Sequence, residues 1–194
     1  MEFLDAKTIK LDRILSDLDK EVFQFISILS RHTDYVIVSG YVAILFGRTR
    51  TTEDVDVIIP EMNRTVFSAF FKETVEAGFW FLNSGKEEDV YELIASKVGV
   101  RAARDGEITP NFEVKFAKNR LDQIGLQNRL KVVIGDKILF TSPLEIQIAY
   151  KEKMLGSDKD LEDARHLRGV FREKLNNEQL QYYLENVENV STQG

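Results

Sequence analysis

Two aspartates stand one residue apart at the head of the run Asp54-Val55-Asp56-Val57-Ile58-Ile59. In a β-strand, side chains alternate between faces, so both carboxylates point the same way. Two like charges side by side are costly, and a cation between them is expected. A divalent metal ion that also holds a phosphate is the natural candidate. Upstream, across thirteen intervening residues, lies Ser39-Gly40, a turn between a short β-branched run (Tyr35 to Val38) and a short helix from Tyr41 to Phe46 that ends at Gly47. Such a turn gathers backbone N–H groups and a helix N-terminus at one spot that favours phosphate, although glycine also serves strand-to-helix turns for steric reasons alone. The intervening loop carries Arg48 and Arg50 and the pair Thr51-Thr52. Either arginine can offset phosphate charge, and the same loop also reads as ordinary solvated surface. A third acid, Glu113, falls in Phe112-Glu113-Val114-Lys115-Phe116, where the apolar residues face a core and Glu113 shares the opposite face with Lys115. An exposed edge strand has the same pattern.

These residues need elements to position them. Apolar residues at Leu11, Ile14, Leu15, Leu18, Val22, Phe25, Ile26 and Leu29 describe one stripe of a long helix from Thr8 to Arg31. Thr8 is its expected N-cap, and His32 stands at its C-terminal end. Val66 to Val75 reads as a second helix ended by Gly78, followed by a strand at Phe79 to Leu82. A short helix at Val90 to Ser96 and a weak strand at Val98 to Ala102 come next. Asn119 to Asn128 reads as helical, and Gly135-Asp136 joins Lys131 to Ile134 and Lys137 to Phe140 as a hairpin. From Thr141 onward the pattern is helical throughout. Ser142-Pro143 opens one helix with Glu145 in a capping-box position, and Asp158 opens the next, striped by Leu161, Ala164, Leu167 and Val170. Asn176 or Asn177 opens a last helix, with a frayed tail from Val190. The layout is an α/β (α+β) core over residues 1–140, with its N-terminal helix at 8–31, and a helical segment over 141–194 packed on that core.

The 194 residues, 43% apolar and 30% charged, belong to an ordinary globular class and are enough for one substantial core. Cysteine is absent, which excludes disulfides, thiolate metal sites and cysteine nucleophiles. Two histidines do not make a multi-histidine metal centre. A net charge of −6 argues against coating nucleic acid by bulk electrostatics but allows a local basic edge, for which Arg101, Arg104, Lys115, Lys118 and Arg120 are candidates. No apolar run approaches the roughly 18 residues a membrane span needs, and no secretory leader is evident, so a cytoplasmic location is expected.

Taken together, the Ser-Gly turn, Asp54-x-Asp56 and the later strand acid resemble the nucleotidyltransferase superfamily of the polymerase-β type. The block Gly40, Ala43, Gly47, Arg50, Thr52, Asp54 and Asp56 further resembles the AbiEii-type branch, which includes the MenT-like toxins. Ser39 stands where that branch has its first glycine, and Glu113 where aspartate is commoner. A later block, a helical lysine followed by Lys159-Asp160-x-x-Asp163, is similar to that branch as well. Lys151 takes the lysine role, with Lys153 as the competing register. The Asp160 and Asp163 pair orients substrate or Lys151, or is a set of helix-surface ion pairs.

The resemblance implies a minimal mixed sheet flanked by helices. It also implies Mg²⁺ (or Mn²⁺) held by Asp54, Asp56 and Glu113, with Glu113 as third ligand or proton acceptor. A nucleoside triphosphate would lie against Ser39 and Gly40, served by Arg48, Arg50, Thr52, Asp160 and Lys151 or Lys153. The reaction implied is transfer of an NMP group to a hydroxyl, with RNA (tRNA) as acceptor for a toxin of a toxin–antitoxin pair. Two other classes stay open: an inactive, antitoxin-like binding partner, and a transferase acting on a small hydroxylated molecule.

Overall fold

In the computed structural model, which describes residues 1–192, strands and helices alternate through most of the chain. The strands are β1 (Glu2–Asp5), β2 (Thr8–Leu11), β3 (Val36–Val38), β4 (Asp54–Ile59), β5 (Phe79–Phe81), β6 (Val100–Arg104), β7 (Asn111–Phe116), β8 (Leu130–Ile134) and β9 (Lys137–Thr141). Among the described residues these nine form one mixed sheet in the order β1-β2-β8-β9-β3-β4-β7-β6-β5. The helices are α1 (Asp17–Leu29), α2 (Gly40–Leu45), α3 (Arg64–Glu76), α4 (Glu87–Ala95), α5 (Arg120–Gln127), α6 (Leu144–Tyr150), α7 (Asp158–Val170) and α8 (Asn177–Thr192). A π-helical turn, Lys151–Leu155, follows α6 and ends at Gly156, whose φ of 66° suits glycine.

The centre of the sheet is the antiparallel pair β3–β4 and the parallel pair β4–β7. Alternation does what the sequence suggests: Val55, Val57 and Ile59 on β4, with Phe112, Val114 and Phe116 on β7, are buried in the core. Phe25 of α1 stacks on Phe112 with ring centroids 4.2 Å apart, and Phe79 and Phe70 close around it edge-on. The polar residues of both strands therefore share the other face.

The long N-terminal helix expected from Thr8 is not formed as such. Thr8–Leu11 is instead β2, paired in parallel with β8, and the helix begins at Asp17. Ile14 is 95% exposed, so it belongs to no apolar stripe. The N-cap is Ser16 rather than Thr8, and Ser16 with Asp19 completes a reciprocal capping box. Asp19 is buried and also receives Arg13 and the Tyr41 hydroxyl, which ties the start of α1 to α2. The strand β1 had no clear signal in the sequence.

In the C-terminal half, Ser157 caps α7 in place of Asp158. Its buried side is Asp163, Ala164 and Leu167, whereas Leu161 and Val170 are exposed. Glu145 makes no capping box; it accepts the N–H of Asn176, and Asn176 in turn caps α8. Ala164, Leu167, Phe171 and Leu180 join the main core, and α5, α6 and α8 meet in a second apolar cluster. The expected frayed tail is helical to Thr192, with Val190 buried, and its last two residues lie outside the described ones. No helix among the described residues is long and apolar enough to cross a membrane.

Candidate active site

Register brings the acids together. Asp56 of β4 lies opposite Glu113 of β7 in the parallel ladder, and Asp54 lies two residues back on the same face. The cation expected among them is a side chain. Lys115 Nζ lies 2.9 Å from Asp56 Oδ1 and 2.6 Å from Glu113 Oε2. Arg101 approaches the other Glu113 oxygen at 3.5 Å. Asp54 stands apart from this bridge, and its carboxylate accepts a 3.3 Å hydrogen bond from the Thr52 hydroxyl.

The two bridged acids are pushed in opposite directions. Burial raises Asp56 above the usual carboxylate range, helped by the charges of Asp54 and Glu113 and opposed by Lys115. Burial works the same way on Glu113, but the hydrogen bond and charge of Lys115, with Arg101 beyond, outweigh it and hold that carboxyl low. Lys115 itself is raised: burial lowers it, and the two carboxylates more than compensate.

A cavity of about 250 Å³ opens beside this bridge, lined by Ser39, Asp56, Lys115, Lys118, Gln147 and Tyr150, with Lys151 at its wall. Ser39 enters it with φ 64° and ψ −134°, a conformation that glycine adopts freely and serine does not. Its N–H donates to Gln147 Oε1 at 3.0 Å. The turn therefore retains the geometry of a glycine turn although a serine occupies it. Asp54 and Glu113 are not among the residues lining the cavity.

The remaining sequence candidates gather elsewhere. Asp163, fully buried, accepts Arg48 Nε at 2.7 Å, both Arg50 Nε and Arg50 Nη2 at 3.0 Å, and Lys151 Nζ at 2.9 Å. Asp160 takes Lys151 at 3.1 Å, and Glu162 takes Arg48. This clasp fastens the loop between α2 and β4 onto α7. Burial would raise Asp163, but Lys151 and Arg50 hold it below the usual range. Arg48, Arg50 and Thr52 also line a second, larger cavity of about 910 Å³, away from Lys115. Lys153 is exposed and lines neither cavity.

Gly40 is explained by the same clasp. A Cβ there would stand 2.2 Å from Arg50 Nη2, so the glycine makes room for the guanidinium. Sequence reasoning placed Lys115 on the polar face of its strand but missed its role between the acids. The signal was present, since Glu113-x-Lys115 puts both side chains on one face.

A resident divalent ion does not fit the acids as they stand. Among the described residues no three acidic or imidazole side chains are grouped to share one ion, and the position between Asp56 and Glu113 belongs to the Lys115 ammonium.

No family model matches the chain, and no curated protein matches it. Solved structures do. An antigenic nucleotidyltransferase-like protein from Paracoccidioides brasiliensis superposes with a TM-score of 0.51 at 18% identity, covering 88% of this chain and 87% of that one. The fold is nucleotidyltransferase-like. The antibiotic-resistance factor ANT(2'')-Ia, known from a solution structure with substrate-regulated conformational dynamics, agrees with a TM-score of 0.53 at 15% identity over 88% of this chain and 90% of that one. Within this nucleotidyltransferase-like fold, the acidic strand β4 and the Ser39 turn at the end of the adjacent β3 are both central.

Proposed function

We propose that the chain is a nucleotidyl-transfer enzyme whose reaction takes place in the cleft beside Ser39, Asp56 and Lys115. The observation that carries this reading is Ser39. A non-glycine residue held at φ 64° costs roughly 1–3 kcal/mol, and such strain is concentrated where function requires a particular backbone shape. Here Ser39 and the half-buried Asp56, whose carboxyl is raised by burial, line the same cavity.

In this reading the phosphates of a nucleoside triphosphate lie along the Ser39 turn, with Lys115 and Lys118 offsetting their charge. Asp56, whose carboxyl burial raises above its ordinary value, accepts the proton of the acceptor hydroxyl. The hydroxyl oxygen forms a bond to the α-phosphorus as the bond to the pyrophosphate oxygen breaks, and pyrophosphate leaves. Glu113, whose carboxyl Lys115 holds below its ordinary value, pairs with Lys115 and keeps it beside Asp56.

The finer placement, with an RNA acceptor as in the AbiEii and MenT-like branch, rests on the block from Gly40 to Asp56. A small hydroxylated acceptor is the competing class, and ANT(2'')-Ia, an antibiotic-resistance factor, gives it weight. Salt separates the two: RNA binding weakens steeply with ionic strength, and binding of a small neutral acceptor does not. A second reading, nucleotide binding without transfer, is favoured by the hydrogen bond from Ser39 N–H to Gln147, which withdraws a donor from the phosphate turn.

The deciding experiment offers each α-labelled ribonucleoside triphosphate to the protein, with Mg²⁺ or Mn²⁺ and with total RNA or small polyols as acceptors. Label transfer that Asp56→Asn abolishes supports the enzyme. Binding without labelled product establishes the second reading, and neither binding nor product refutes both.

A further inference from the structure

The acids on β4 and β7 already share a cation, and it is covalently part of the chain. Lys115 Nζ donates to Asp56 Oδ1 at 2.9 Å and pairs with Glu113 Oε2 at 2.6 Å, from a side chain that is 37% exposed, while the two carboxylates are 15% and 16% exposed. The strand beside them makes room for the bridge. At Gly99, next to β6, an added Cβ would lie 2.8 Å from Glu113 Oε1 and 3.0 Å from Lys115 Cε. Any other residue there would push on both partners. Lys115 lines the cavity with its side chain partly exposed, and four rotatable bonds let the ammonium swing clear.

We infer that Lys115 is a tethered counter-ion that competes with divalent cations for the Asp56–Glu113 pair, so that a cation enters only when the ammonium moves out. Two cations cannot share a gap that one ammonium spans by pairing with both carboxylates. A divalent ion must therefore displace Lys115, and the freed ammonium is left among groups that line the same cavity. This concerns the cleft proposed above for nucleotides, and it rests on that reading only for what the displaced ammonium would meet. The competition itself is tested with the bare ion.

The test is direct titration of the full chain with Mn²⁺, read as loss of the free-ion electron paramagnetic resonance signal. Lys115→Met should bind Mn²⁺ about tenfold or more tightly than the unaltered protein, because one competing charge has gone. Lys118→Ala removes the same charge from the cavity wall without touching the bridge, and its affinity should stay within about threefold, as expected of a screened charge. Adding Asp56→Asn to Lys115→Met should erase the gain. Lys115→Gln repeats the measurement if the methionine variant does not fold, as judged by circular dichroism.

No gain on removing Lys115, an equal gain from Lys118→Ala, or a gain that survives Asp56→Asn would each overturn the inference. A gain in Mn²⁺ affinity together with no nucleotide transfer by the unaltered protein would uphold the tethered counter-ion and refute the enzyme reading. Transfer with no gain would do the reverse.

Discussion

Asp163→Asn tests whether the basic residues near the cleft are structural. Asp163 is fully buried and neutralises Lys151, whose side chain is 1% exposed, together with Arg50 at 10% and Arg48 at 21%. Replacing the carboxylate with an amide leaves the size unchanged and strands these cations. Breaking a buried pair in this way costs about 3–5 kcal/mol, and the remaining carboxylates reduce that figure. Glu162 still holds Arg48 and Asp160 still holds Lys151, so a loss of about 3 kcal/mol is expected.

Lys151→Met should behave differently. It removes the buried ammonium, keeps most of the aliphatic stem, and leaves Asp163 paired with both arginines, so its cost should stay near 1 kcal/mol. Urea denaturation followed through Trp80, the single tryptophan, measures both values. The double variant should cost less than the sum, because the partners share one network. The reasoning fails if Asp163→Asn costs under about 1 kcal/mol, or if Lys151→Met costs as much as Asp163→Asn. Lys151→Met should also retain triphosphate binding, and its loss would restore Lys151 to the phosphate role that the sequence suggested.

Ser39→Gly should stabilise the fold by about 1 kcal/mol, the relief of an unfavourable φ less the extra freedom glycine gives the unfolded chain; a lower urea midpoint would contradict this. Gly40→Ala should lower stability by about 1–3 kcal/mol, because its methyl would displace Arg50 from Asp163, and Arg50→Ala in the same chain should absorb most of that loss. Acid should act through Asp163, whose folded carboxyl lies below its ordinary value of 3.8. A depressed acid contributes stability that is complete above the unfolded value and is lost as pH falls through the folded one. Urea midpoints below the ordinary aspartate range should therefore drop less steeply in Asp163→Asn than in the unaltered chain.

The parts of the fold that follow from local alternation were legible. Asp54 to Ile59 and Phe112 to Phe116 each bury every second residue, so both strands and their polar face could be read directly. Thr8–Leu11 was not, because its partner β8 is remote and two apolar residues in four also suit a helix. The true helix start was legible in the Ser16-x-x-Asp19 capping box, and the longer apolar stripe masked it.

At the site, nothing local distinguishes an arginine that meets phosphate from one that meets a buried aspartate. Arg50 and Asp163 are 113 residues apart, so their meeting depends on the docking of α7. The Lys115 bridge depends likewise on the parallel register that sets Asp56 opposite Glu113. The strain at Ser39 was legible only as a serine in a glycine's place.

The clasp on Asp163 also sets an order of events during synthesis. At about 5–20 residues per second, the loop carrying Arg48 and Arg50 is made roughly 6–23 s before its counter-charge. Until α7 arrives, that loop is a basic segment without its anchor, and Lys151 has no interior to enter. The clasp is thus a late product of the ribosome's work. A nascent chain halted before Asp163 carries the acidic strands and every residue that lines the cleft, but not the carboxylate that anchors Lys151 in its wall.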